Sequence, residues 1–196
     1  MKPAAPVTTW RTEGQAIVRA VGRIVERRVE YRSPWLEVVA KEVELGPPRG
    51  RETFWAVRTH EYVAVLAVTT EGLIPLVRQF RPAVEEELLE LPSGSVDPGE
   101  SAEEAGRREL LEETGCEAGE LVFLGRLTTD SGRMETRQWA YFAPAVRRVR
   151  EAPQGDEELE LSFVEPGELR RLIADGELVQ AIHLGIVGAA IVRGLL

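Results

Sequence analysis

Seven carboxylates fall between Gly94 and Gly115, and their spacing constrains this chain more than any other feature. The segment Ser101 to Thr114 has no proline. It opens with Ser followed three residues later by Glu104 and it stops at Gly115, so it predicts a capped helix with a glycine stop. On such a helix Glu109, Glu112 and Glu113 stand three and four residues apart and share one side. Like charges at that spacing destabilise an isolated helix, so the arrangement requires either full solvation or a cation between them. Hard oxygen ligands on a rigid helix favour Mg²⁺ or Mn²⁺, whose shells are completed by water and by substrate phosphates. A solvated acidic face is the competing reading, because 29 of the 33 acidic residues are glutamate and chance clusters are common in such a chain.

The rest of the chain narrows the class. A length of 196 residues suits one compact domain, and 43% hydrophobic with 29% charged residues is ordinary globular composition. A formal charge of -9 argues against a nucleic-acid partner, which requires a concentrated basic surface. Lys2 and Lys41 are the only lysines, so the basic residues are nearly all arginine, the side chain suited to bidentate phosphate recognition. Cys116 is the only cysteine; an intramolecular disulfide is excluded and a reducing, cytoplasmic compartment is expected. The start shows no basic segment followed by an apolar run. The apolar stretch from Leu178 to Leu196 is broken by Gln180, His183 and Arg193, so a buried helix is expected there rather than a membrane anchor.

Runs rich in β-branched and aromatic residues predict strands at Val21 to Tyr31, Trp35 to Val43, Thr53 to Arg58, Tyr62 to Val68 and Leu73 to Gln79. Further strands are expected at Leu121 to Thr128, Thr136 to Phe142 and Leu159 to Val164, with helices from Pro166 to about Asp175 and from Leu178 onward. The fold class is therefore α+β.

From Gly94 to Cys116 the sequence reads GSVDPGESAEEAGRRELLEETGC, which matches GX5EX7REUXEEXGU, with U an apolar residue, at every fixed position. A chance match in a chain of this composition is on the order of 1 in 10⁵. The chain thus resembles the Nudix hydrolase superfamily. That resemblance implies an α/β/α sandwich with a mixed sheet. It makes Glu109, Glu112 and Glu113 metal ligands or holders of metal-bound water, Arg108 an orienting residue, Glu100 a support, and the Ser93 carbonyl an extra ligand. The run VRQFRPAVEEELLELPSG, before and into the motif, is similar to the ADP-ribose and nucleoside-diphosphate-sugar pyrophosphatase branch.

On that likeness residues 1–60 form an N-terminal sheet extension that pairs across a homodimer, and residues 61–196 form the hydrolase domain. Arg81 would bind phosphate, Glu90 would lie near the substrate, and Trp35 with Phe54 or Trp55 would sandwich the base, although core or interface packing explains such aromatics equally well. The acidic loop before Leu159 implies a general base at Glu157, or at Glu158 if the loop is offset by one residue. The implied substrate is a small nucleotide: ADP-ribose or a related nucleotide sugar. Because Thr128 to Arg133 lacks the proline-bearing turn of ADP-ribose-specific relatives, a dinucleotide of the FAD, NADH or ApnA type stays open. So does a regulator that binds nucleotide sugar without turnover.

Overall fold

The computed structural model describes residues 22–151 and 159–196. Its first unit is a three-stranded antiparallel sheet, β1 (Arg23–Arg32), β2 (Leu36–Gly46) and β3 (Gly50–Thr59), with β2 in the centre. Gly46 and Gly50 pair across the second hairpin, and both adopt the left-handed backbone that a side chain would resist. Val21, the expected start of the first strand, lies outside the described residues.

The second unit is built on β4 (Tyr62–Thr69), which alternates side by side between two cores. Val63, Val65 and Ala67 face one, while Ala64 and Leu66 face the other. A strand buried on both faces reads as the continuous apolar run seen here. β4 pairs in parallel with β10 (Arg137–Arg148) and antiparallel with β7 (Ser93–Ser95), while β9 (Val122–Thr128) and the short β8 (Cys116–Glu117) pair with β10. A smaller sheet holds β5 (Ile74–Arg81) between β6 (Glu86–Glu90) and β11 (Glu160–Val164).

The helix α1 (Ala102–Thr114) covers one face through Ala105 and Leu110. On the other lie α2 (Pro166–Ala174), through Leu169 and Leu172, and α3 (Ala181–Val192), through Ile186, Val187 and Ala190. The result is the expected α/β/α arrangement around a mixed sheet. No helix among the described residues is long and apolar enough to cross a membrane.

Three differences from the sequence expectations have local causes. β10 runs past Pro144 to Arg148 because its register against β4 shifts between Ala143 and Val146, where Ala145 takes a positive φ of 51°. The last helix starts at Ala181 rather than Leu178. Leu178 is instead buried against the end of α2, where its N–H and that of Glu177 both donate to the Leu172 carbonyl. β6 was not expected, since three of its five residues are glutamate and strands disfavour them; pairing with β5 and burial of Leu89 and Glu90 override the propensity.

The two units meet along one seam. A parallel bridge joins Val57 to Met134, and the Val57 N–H donates to the Arg133 carbonyl at 2.7 Å. Glu135 accepts from Arg58 at 3.2 Å and pairs with Lys41 at 3.2 Å, so the loop between β9 and β10 is tied to the N-terminal sheet.

Candidate active site

The helix α1 forms as its sequence dictates. The Ser101 side chain accepts from the Glu104 N–H while the Glu104 carboxylate accepts from the Ser101 N–H, and Gly115 closes the helix at φ 69°. Register then brings β7 alongside: Tyr62 pairs with Ser95 and Val63 with Gly94, which sets the loop before the helix against its carboxylate face.

Two of the expected acidic residues meet that loop directly. The Glu113 Oε2 accepts from the Ser93 N–H at 2.9 Å, and Glu113 is only 5% exposed. Glu109 lies so close to Gly94 that a Cβ on the glycine would sit 2.0 Å from Glu109 Oε1. Gly94 is thus a functional position that the pattern marked only as a fixed letter; its reason is the space the carboxylate occupies.

Arg108 holds the remaining charges together. It donates from Nε and Nη2 to both oxygens of Glu100, each at 3.0 Å, from Nη1 to Glu109 at 2.8 Å and Glu112 at 3.2 Å, and from Nη2 to the Ser95 carbonyl at 2.9 Å. The Glu100 pair raises the Arg108 pKa further above its ordinary value and lowers that of Glu100. The repulsion expected among the helix carboxylates is met here by a guanidinium. Among the described residues no three acidic, histidine or cysteine side chains converge on one point. The donor set nonetheless fits a hard divalent cation: Glu113 reaches the Ser93 N–H, Glu109 lies against Gly94, and among the described residues the buried Ser93 Oγ has no hydrogen-bond partner.

Arg81 and Glu90 are also brought together. Glu90 is fully buried and accepts from Arg81 Nε at 3.0 Å, with a second, shorter contact from Nη2. This bidentate pair raises the Arg81 pKa and leaves the guanidinium partly exposed. Tyr62 links it to the motif: its hydroxyl donates to the Ser93 carbonyl at 3.3 Å and lies 3.5 Å from Arg81 Nη2. Burial raises the Tyr62 pKa, so the hydroxyl keeps its proton. Nothing in the sequence marked Tyr62; only the pairing of β4 with β7 reveals it.

The aromatic trio is dispersed within one chain. Trp35 is 77% exposed in the turn between β1 and β2, next to the paired Leu36 and Thr59. Phe54 pairs with Lys41, five residues along β2 from Leu36, or about 17 Å at the usual strand rise. Phe54 and Trp55 are both exposed and point to opposite faces of β3. Trp35 therefore forms no sandwich with either in the same chain. Glu157 and Glu158 lie outside the described residues.

At the edge of a mixed sheet between helix layers, a loop and a capped helix bring Glu109 and Glu113 to the Ser93–Gly94 backbone. The NUDIX domain profile matches residues 58–182, and the chain belongs to that family: it is a Nudix hydrolase. It is similar to an ADP-ribose pyrophosphatase of Bacillus subtilis (strain 168), 34% identical over 135 residues that cover 68% of this chain and 70% of that protein. It is also similar to an ADP-ribose pyrophosphatase of Mycobacterium tuberculosis (strain ATCC 25618 / H37Rv), 31% identical over 161 residues covering 81% and 72%. A methanol dehydrogenase activator of Bacillus methanolicus is 30% identical over 74% of this chain and 71% of its own length. Among solved structures, an ADP compounds hydrolase shares the fold with a TM-score of 0.75 at 23% identity, covering 89% of this chain and 97% of that one.

Proposed function

We propose that this enzyme hydrolyses ADP-ribose or a related nucleoside-diphosphate sugar, with Mg²⁺ or Mn²⁺, to a nucleoside monophosphate and a sugar phosphate. The convergence of Glu109 and Glu113 on the Ser93–Gly94 backbone carries this reading, because it gathers oxygen ligands where the motif demands them. The names of the Bacillus subtilis and Mycobacterium tuberculosis relatives favour the substrate class. Glu109, Glu112, Glu113 and the Ser93 carbonyl hold the cation. A divalent cation held by these oxygens would supply the charge that polarises a pyrophosphate and acidifies an attacking water. Arg108 orients Glu109 and Glu112, and Arg81, braced by Glu90, binds a phosphate oxygen. The water oxygen bonds to one phosphorus as its proton passes to the proposed base, Glu157 or Glu158, the bridging P–O bond breaks with its electron pair on the leaving phosphate oxygen, and the two phosphates separate.

A homodimer completes the base site in this proposal. The exposed Val29 and Phe54 on one face of the N-terminal sheet, and Tyr31 and Trp55 on the other, offer apolar area to a second copy, and that copy brings an aromatic face to Trp35. A screen of nucleotide sugars and dinucleotides with each metal, read by phosphatase-coupled phosphate release, tests the function. Light scattering on the same sample is expected at twice the 21.8 kDa of the chain. Release from dinucleotides alone would support the second reading, which is favoured by the Thr128–Arg133 loop without proline. No release from any substrate would reject both.

The family resemblance of the acidic segment before β11 supports Glu157, or Glu158, as the general base. Glu157→Gln is expected to lower kcat by about 10²-fold, the scale of a lost general base, with metal affinity little changed. If neither Glu157→Gln nor Glu158→Gln slows turnover more than a few-fold, the base lies elsewhere.

A further inference from the structure

α3 is apolar at every position but one. Its buried stripe runs through residues 183, 186, 187 and 190, so a leucine at the first of these would continue the pattern. The residue there is His183, fully buried. Its Nδ1 accepts from the Leu91 N–H at 3.2 Å, across 92 residues of sequence, while its Nε2 has no partner among the described residues. An imidazole with one nitrogen unpaired is a costly choice for a helix that needs only an apolar side chain. Such local violations are expected where a residue serves the site rather than the core.

Leu91 lies within a segment whose other members already serve the site. Glu90 braces Arg81, the Pro92 carbonyl accepts from the Val65 N–H at 2.9 Å, and Ser93 gives its N–H to Glu113 and receives the Tyr62 hydroxyl on its carbonyl. Without His183, the Leu91 N–H would be the member of this run left without that anchor. Burial, with the Arg81 charge adding to it, pushes the His183 pKa down to about 3, so the ring stays neutral and Nδ1 remains an acceptor.

We propose that His183 is a positioning residue: its Nδ1 fixes the Leu91 amide and thereby aligns Glu90 with Arg81 on one side and the Ser93 backbone with Glu113 on the other. The inference rests on the metal-dependent reading proposed above. It adds to that reading a third element, α3, through this hydrogen bond.

Three variants separate positioning from packing. His183→Asn places an oxygen acceptor where Nδ1 stands; His183→Gln carries it one bond too far; His183→Leu removes it. With the full chain, Mn²⁺ binding in the absence of substrate, hydrogen exchange at the Leu91 amide, and KM and kcat are measured. Loss of an outer-shell partner costs metal sites roughly 10- to 100-fold, so His183→Leu and His183→Gln are expected to weaken Mn²⁺ binding about tenfold, raise KM and speed Leu91 exchange. His183→Asn is expected to remain within about threefold of wild type by the same measure. Equal impairment of the Asn and Gln variants, or wild-type Mn²⁺ binding and KM in both Gln and Leu variants, overturns the proposal. If His183→Leu does not fold, the Asn and Gln pair decides. Should the wild type release no phosphate from any nucleotide sugar, the proposed function fails, while Mn²⁺ affinity and Leu91 exchange still report on His183.

Discussion

Gly94→Ala is expected to abolish most activity while leaving the fold intact. The added Cβ would sit 2.0 Å from Glu109 Oε1 and 2.1 Å from its Cδ, far inside contact distance. The atom that must yield is the end of a flexible side chain, not backbone, so the clash is relieved by swinging the carboxylate away. Gly94 lies in β7 without a positive φ, so alanine suits its backbone and reduces the entropy of the unfolded chain. Stability should therefore be kept, with a melting temperature within a few degrees of wild type. A displaced ligand is another matter, because an error of about 1 Å in a catalytic group costs on the order of 10²-fold in rate. The check is kcat/KM at saturating metal beside a calorimetric melt. Wild-type kcat/KM would show that the Glu109 carboxylate does not act at the Ser93–Gly94 loop, and a collapsed melt would show that Gly94 serves the fold.

The sequence made α1 legible to the residue, since its Ser101 cap, Glu104 partner and Gly115 stop are local chemistry that no distant contact has to supply. The same holds for β4, whose apolar run is long enough to require burial on both faces. What could not be read is what register decides. Tyr62 reaches the Ser93 carbonyl because β4 pairs with the three-residue β7, too short to show a pattern, and the buried Glu90, whose backbone partner on β5 is Val77, finds its side-chain partner Arg81 four residues further along that strand. His183 looked like an interruption in an apolar stretch; its partner amide is on another element. The aromatic residues show the converse. Trp35, Phe54 and Trp55 are conspicuous in the sequence, yet the hairpin register spreads them along the sheet.

In the proposed site the charge arrangement would couple metal binding to stability. Three glutamates on one helix side have no basic residue in the last turn to offset them, and Arg108 alone spans Glu100, Glu109 and Glu112. A cation bound by the oxygens of Glu109 and Glu112 competes with Arg108 for the same lone pairs. Arg108 then retains Glu100 and the Ser95 carbonyl, so the guanidinium need not move far. Glu113 accepts from the Ser93 N–H, on the loop side of the helix.

Glu113→Gln isolates that ligand. Glutamine keeps an oxygen able to accept the Ser93 N–H and keeps helix propensity close to that of glutamate, so the variant should fold. It removes one negative charge from a set of like charges, which favours the metal-free helix slightly. Wild type, by contrast, should gain from the metal: a ligand at 100 times its dissociation constant adds about 2.7 kcal/mol. For a chain of this size that corresponds to roughly 5–10 °C in Tm. The expected result is a crossing, with the variant equal to or slightly above wild type without metal and well below it with Mg²⁺ or Mn²⁺. Turnover should fall by about 10³-fold, the equivalent of several kcal/mol of lost charge stabilisation in the transition state. Melting curves with and without metal, paired with kcat, read both effects. A variant that retains wild-type turnover and the full metal-induced rise in Tm would remove Glu113 from the metal site.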